Sequence, residues 1–254
     1  MVCHNHLQDG TLSSLLIIIK NLKMTRHIKY SPDDRMISLI SDNYSLIQVL
    51  SRFGIPMGFA DKTVKEICNE YNVDCLTFLT VVNFILENSE ENINISDLSL
   101  SSLLHYLKQS HKYFIEYFLP AIRRKLLDGI RLNDYDVSFL IIKLFDEYVN
   151  EVSSHMHDEE NSLFPYVKSL SEGYITDVYD ESTYSRHHDE VGSKLKELKN
   201  IIIKYCPAEA RINLLNDALY DIYRCEDELA SHCRIEDCLL IPAMLNMKKK
   251  YLNV

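Results

Sequence analysis

The sequence predicts an all-α fold: an antiparallel up-down four-helix bundle preceded by a small N-terminal helical domain. Three observations carry this. The 254 residues include only 6 Gly and 6 Pro, so turn-formers are sparse and the elements must be long. From Ser96 onward apolar residues recur at three- and four-residue steps, as in LLHYLKQSHKYFIEYFL, the period of a helix with one buried face. Breaks in that pattern fall near Gly129, Gly173 and Pro207, leaving four long segments with short connections, the pattern of an antiparallel bundle.

The elements follow in order. Residues 1–32 are expected to be a disordered extension. The greasy run LSSLLIIIKNLKM falls far short of the roughly 20 residues that span a bilayer, and it has neither a basic leader nor a small-residue cleavage site. Met24 begins a more ordinary stretch, so residues 1–23 read as disordered or non-native. Residues 33–88 form the small helical domain. SPDDRMISLISDNYSLIQVLSRFGI offers an acidic helix start after Pro32 and a stop at Gly54. ADKTVKEICNEYNVDCLTFLTVVNFILEN then gives two short helices split near Asn72. That pair has the outline of a helix-turn-helix but lacks the basic face that DNA reading requires. NSEENINISD, residues 88–97, is a polar linker. The bundle occupies 96–248, in segments of about 97–128, 134–169, 176–204 and 209–248.

Composition narrows the function classes. A net charge of −10 argues against nucleic acid or an anionic membrane as a general partner, since both attract basic patches. The seven cysteines form no CxxC and no regular framework, which reads as reduced thiols in a cytoplasm. No Ser or Cys stands in a nucleophile-elbow context and no Gly-rich phosphate loop occurs, so hydrolase and P-loop chemistry find no support.

Two segments carry the chemistry. HMHDEENSLFPYV, residues 155–167, and HCRIEDCLLIPAM, residues 232–244, agree at His, at Glu four later, at an acid five later, at Leu and at Pro. Residues four apart share a helical face, so His155 and Glu159 point one way and so do His232 and Glu236. A lone HxxxE is a common surface pair; its repetition at matching offsets points to a metal. Bare carboxylates on the core side of a bundle are too costly without a compensating cation. The first long segment offers His105 and His111, the third His187 and His188, and one histidine from each would complete four imidazoles and two carboxylates. His105, six residues before His111, cannot share its face neatly, and neighbouring His187 and His188 cannot both bind. Such mixed nitrogen and oxygen ligation suits iron better than structural zinc, with manganese allowed by the same chemistry. His157 reads as solvated, Asp158 and Glu160 as flanking groups or hydrogen-bond partners of a ligand imidazole.

HMHDEENSLFP and HCRIEDCLLIP resemble the paired H-x3-E-E/N-x2-LFP motifs of hemerythrin-like proteins. HHDEVG resembles the family's EHDxxG segment, which selects His188, and SHKYFIEYFLP resembles HHxYLRxxLP, which selects His111. The order of all four is similar to that of the iron–sulfur-cluster repair di-iron proteins of the RIC, or ScdA, type, over about residues 40 to 245. RFGIPMGFADKTVKEICNEYNVD resembles the leading motif of their small N-terminal domain. Three departures stand out. Gly58 and Phe59 occupy the place of that motif's adjacent cysteines, so thiol chemistry assigned to the pair does not carry over. The spacing from His111 to Pro120 is one residue longer than in the family. Ile241 replaces the Phe of the second LFP.

The resemblance implies two non-haem iron ions, bridged by Glu159 and Glu236 and capped by His111, His155, His188 and His232. It also implies a part in nitrosative or oxidative stress, repairing or supplying iron to damaged iron–sulfur clusters, with O2, NO or peroxide as small ligands and iron–sulfur proteins as partners. The alternative is a module that binds O2 or NO, or senses iron or redox state, without turnover; a metal-free helical interaction protein is a third. Oligomeric state stays open, a homodimer included.

Overall fold

The computed structural model describes residues 30–87, 94–130, 136–174, 188–206 and 210–252, and of residues 136, 188–193 and 252 the backbone alone. Among the described residues every extended element is helical, and no helix is long and apolar enough to cross a membrane. The anticipated extension up to residue 29 lies outside them. Tyr30 does not belong to an extension. It is buried, its N–H donates to Asn83 Oδ1 at 2.8 Å, and its hydroxyl donates to Asp42 Oδ2 at 2.8 Å. The N-terminal unit therefore begins about three residues earlier than 33.

Two helices, α1 (Met36–Asp42) and α2 (Leu46–Arg52), stand between Pro32 and Gly54. The expected acidic start is not one. Asp34 instead closes a turn, accepting from the Ser31 N–H at 2.7 Å, and α1 begins two residues later. Asn43 separates the two helices, because its side chain accepts from the backbone N–H and hydroxyl of Ser45 at 3.0 and 2.7 Å and so competes with the helix ladder. Gly54 ends α2 at φ +75°, a conformation that glycine adopts without Cβ strain. In α3 (Val64–Glu70) Thr63 and Glu66 form a reciprocal capping box, and Asn72 at φ +54° turns the chain into α4 (Cys75–Glu87). Ile95–Asp97 of the expected linker forms a short 3-10 turn, and residues 88–93 lie outside the described residues.

Four rods follow. The first is α5 (Leu100–Lys112), a π-helical stretch Tyr113–Phe118, and α6 (Leu119–Ile130). The second is α7 (Asp136–Asn161) and α8 (Leu163–Ser171). The third is α9 (His188–Tyr205). The fourth is α10 (Ile212–Ile235), a second π-helical stretch Glu236–Leu240, and α11 (Ile241–Leu252). Three rods are thus interrupted where the sequence suggested continuous helices. Pro165 sits in the first turn of α8, where a missing N–H costs no helix bond, and Pro120 and Pro242 are each the second residue after a π-helical stretch. The first π-helical stretch lies between His111 and Pro120 and widens the helix there.

The break expected near Gly129 falls one residue later, where α6 ends at Ile130. The glycine also serves close approach, since a Cβ there would stand 3.2 Å from Leu215 N and 3.3 Å from Leu215 Cα. Its carbonyl accepts from the Arg211 N–H at 2.8 Å. Ion pairs tie each rod to its neighbours around the ring: Arg123–Asp146 joins the first and second, Lys194–Glu151 the second and third, Lys199–Glu226 the third and fourth, Lys125–Asp221 the first and fourth. Such pairs contribute about 0–1 kcal/mol each and act mainly on neighbour choice. Apolar packing carries the stability, in two clusters. One unites the N-terminal unit with Leu98–Leu107, Leu163–Leu170 and Ile235–Met244; the other holds Phe114–Ile130, Ile141–Met156, Leu195–Ile202 and Leu215–Leu229.

Candidate metal centre

Between these two apolar clusters lies one polar layer. On the first rod His111 falls between Leu107 and Phe114; on the fourth, His232 and Glu236 follow Leu229. On the second, His155 and Glu159 flank Met156 and precede Leu163. All five side chains are buried, Glu236 and both His111 and His232 completely. Donor atoms of His111, Glu159, His232 and Glu236 lie within 4.8 Å of one another. His111 Nε2 is 3.2 Å from His232 Nε2, and His232 Nε2 is 3.4 Å from Glu236 Oε1. Glu159 is shared between two imidazoles, Oε2 lying 3.1 Å from His111 Nε2 and Oε1 2.9 Å from His155 Nε2.

The protonation chemistry suits a cation. His111 Nδ1 and Glu160 Oε1 are 3.0 Å apart. With the carboxylate accepting from Nδ1, Nε2 is the atom that a cation in the cluster would take. Burial, then the neighbouring His111 ring, holds His232 well below the ordinary imidazole range, so His232 is a neutral donor. Its Nδ1 has no hydrogen-bond partner among the described residues. Two ring nitrogens that face each other from 3.2 Å, with carboxylate oxygens beside them, need a proton or a metal between them. The nitrogen–oxygen set without sulfur fits a catalytic or redox metal rather than closed structural zinc.

Apolar rings wall the cluster. Phe164, from the LFP that follows Glu159, stacks on His111 at 5.0 Å between centroids and 19° between planes. Phe114 sets its edge against His232 at 6.2 Å and 75°. Both are fully buried and keep bulk water from these faces.

Of the anticipated residues, the structure brings His111, His155, Glu159, His232 and Glu236 together. His188 opens α9, but its side chain lies outside the described residues, as does all of His187. His105, His157 and Asp158 face solvent; Glu160 reaches back to His111 from the second rod. Phe114 and Arg52 stand inside segments that carry the family resemblance, SHKYFIEYFLP and RFGIPMGFADK, but neither is a donor type at helical ligand spacing, so nothing singled them out. Phe164 sat inside a quoted motif, and its stacking on a ligand ring was the missed signal.

Residues 102–244 match the family described as hemerythrin HHE cation binding domain. The iron-sulfur cluster repair protein ScdA of Staphylococcus haemolyticus (strain JCSC1435) is 20% identical over 182 residues, covering 70% of this chain and 82% of that protein.

Proposed function

Because this chain belongs to the hemerythrin HHE cation-binding domain family, we propose that its polar layer holds two non-haem iron ions, with manganese as the alternative ion. His111, His155, Glu159, His232 and Glu236 would be ligands, joined by His188 from the third rod. The observation that carries a pair of ions, rather than one, is Glu159: its two oxygens face two different histidines, the arrangement a bridging carboxylate needs. Bound iron supplies a redox couple and an open coordination position for O2, NO or peroxide. The chain's own groups do the rest. Glu160 fixes the His111 tautomer, and Phe114 and Phe164 exclude water.

In the cell this centre would serve nitrosative or oxidative stress, repairing iron–sulfur clusters or supplying iron to them. The name of the staphylococcal relative supports that reading, and iron–sulfur proteins would be the clients. Cys68, Cys75 and Cys225 are free thiols, which supports a reducing cytoplasm. One observation favours a second reading. Gly58 and Phe59 stand where the resembling motif has adjacent cysteines, so a thiol route for passing iron is missing there. On that reading the domain binds O2 or NO reversibly, or senses iron or redox state, without turnover and as a monomer or homodimer.

Elemental analysis with Mössbauer spectroscopy tests the centre. Two irons per chain with a bridged-pair signature are expected; protein purified without chelator that holds no iron or manganese would sink it. Stopped-flow mixing of the reduced protein with NO or O2 then separates the readings. Catalytic consumption of NO supports stress chemistry with turnover, and a stable reversible adduct supports carriage or sensing.

A further inference from the structure

Arg52 ends α2 of the N-terminal unit, yet only 4% of it is exposed. Its side chain enters the bundle. Nη2 donates to Glu228 Oε2 at 2.8 Å and Nη1 to the Tyr106 hydroxyl at 3.3 Å. The guanidinium carbon lies 5.6–5.7 Å from the centres of the Tyr106, Tyr113 and Phe114 rings. Both ends of this contact lead to the metal layer. Glu228 stands one helical turn before His232 on α10, and Phe114 places its edge on the His232 ring. A buried ion pair is a poor way merely to glue two surfaces: desolvation costs several kcal/mol per ion, and apolar residues of equal volume join surfaces at least as well. What a planar, forked cation does better is fix direction, holding a carboxylate and an aromatic face in one geometry.

We propose that Arg52 is a positioning residue for the metal centre, contributed by the N-terminal unit. It clamps Glu228 and Phe114, and through them the ring of His232, so that docking of the N-terminal unit sets how fast the ions leave. This rests on the reading of the polar layer as an iron site. It assigns the N-terminal unit a task that needs no cysteine pair.

The test uses the full-length, iron-loaded chain and follows iron release to bathophenanthroline under reducing, anaerobic conditions. Arg52→Met should release iron at least tenfold faster than wild type. Arg52→Lys should fall between, because an ammonium keeps the charge but loses the fork and the ring contacts. Glu228→Gln should release at least threefold faster, and the Arg52→Met/Glu228→Gln double variant less than the product of the two, since both act through one contact. A clamp that serves stability alone would lower the thermal midpoint of the metal-free protein and leave the release rate unchanged; folded Arg52→Met at the wild-type rate overturns the proposal. Should Arg52→Met not fold, Glu228→Gln decides on the same rate, faster release supporting the clamp and wild-type release ending it. A wild-type chain that takes up no iron fails the metal reading and this inference with it, whereas an iron-holding wild type with an unaffected Arg52→Met fails this inference alone.

Discussion

The double variant His232→Leu/Glu236→Leu should reverse the sign of its effect on stability when metal is added. Glu236 is completely buried, beside His232 and within 4.8 Å of the other donor atoms. Replacing a whole buried ionic pair by apolar residues of similar volume stabilises by about 1–4 kcal/mol, so about 2 kcal/mol is a central value for the metal-free protein. For a chain of this size each kcal/mol moves the midpoint by about 2–4 °C, which puts the metal-free variant about 6 °C above metal-free wild type. Metal changes the comparison. Ions at about 1,000 times their Kd stabilise the wild type by about 4.1 kcal/mol, a contribution the variant loses with its two ligands. The loaded variant should then melt about 6 °C below loaded wild type, the net of a loss of about 4 and a gain of about 2 kcal/mol. Calorimetry on both proteins, chelator-treated and anaerobically iron-loaded, reads all four midpoints. A variant less stable than wild type in both states would refute the reasoning, because the pair would then be held by the fold and not by a cation.

Other expectations test neighbouring links. His232 is held below its unfolded value, so as pH falls the unfolded chain takes the proton first; in metal-free protein the stability is whole above about 6.5 and falls by about 1.4 kcal/mol per unit below it. Urea midpoints at pH 7.5, 6.5 and 5.5 should show this slope in wild type and a flatter one in His232→Leu; equal slopes would count against it. Gly129→Ala should destabilise despite its better helix propensity, by about 1 kcal/mol net, because the new methyl meets Leu215 backbone at 3.2 Å and backbone cannot step aside as a side chain would; a raised thermal midpoint would contradict the close-approach role. Thr63→Ala removes the capping box of α3 and should cost about 1 kcal/mol in denaturant unfolding, whereas Thr63→Ser should retain most of it.

Much of this protein is legible in its sequence. The helical class and the alignment of His155 with Glu159, and of His232 with Glu236, follow from backbone geometry within one helix, where four residues return the chain to the same face. The family resemblance, on the SHKYFIEYFLP segment, chose His111; the structure places it in the polar layer and turns His105 to solvent. Pro165 is local as well, standing in the first turn of α8 as a residue without an N–H should.

What local rules could not supply is which rods meet and at what height. Gly129 reads as a stop in a one-dimensional pattern, and only the approach of Leu215 shows its close-approach role. Asn43 interrupts a run of good helix residues because its side chain finds Ser45, a competition that propensity weighs too lightly. Arg52 looks like an ordinary basic residue at a helix end until Glu228, 176 residues away, comes within 2.8 Å. The amino-acid order alone determined the rods and the donor pairs each one carries, since these depend on neighbours a few bonds apart. Tertiary structure alone decided that the pairs converge in one dry layer and that the N-terminal unit closes over it, because register between rods is set by the packing of whole faces and no single segment encodes it.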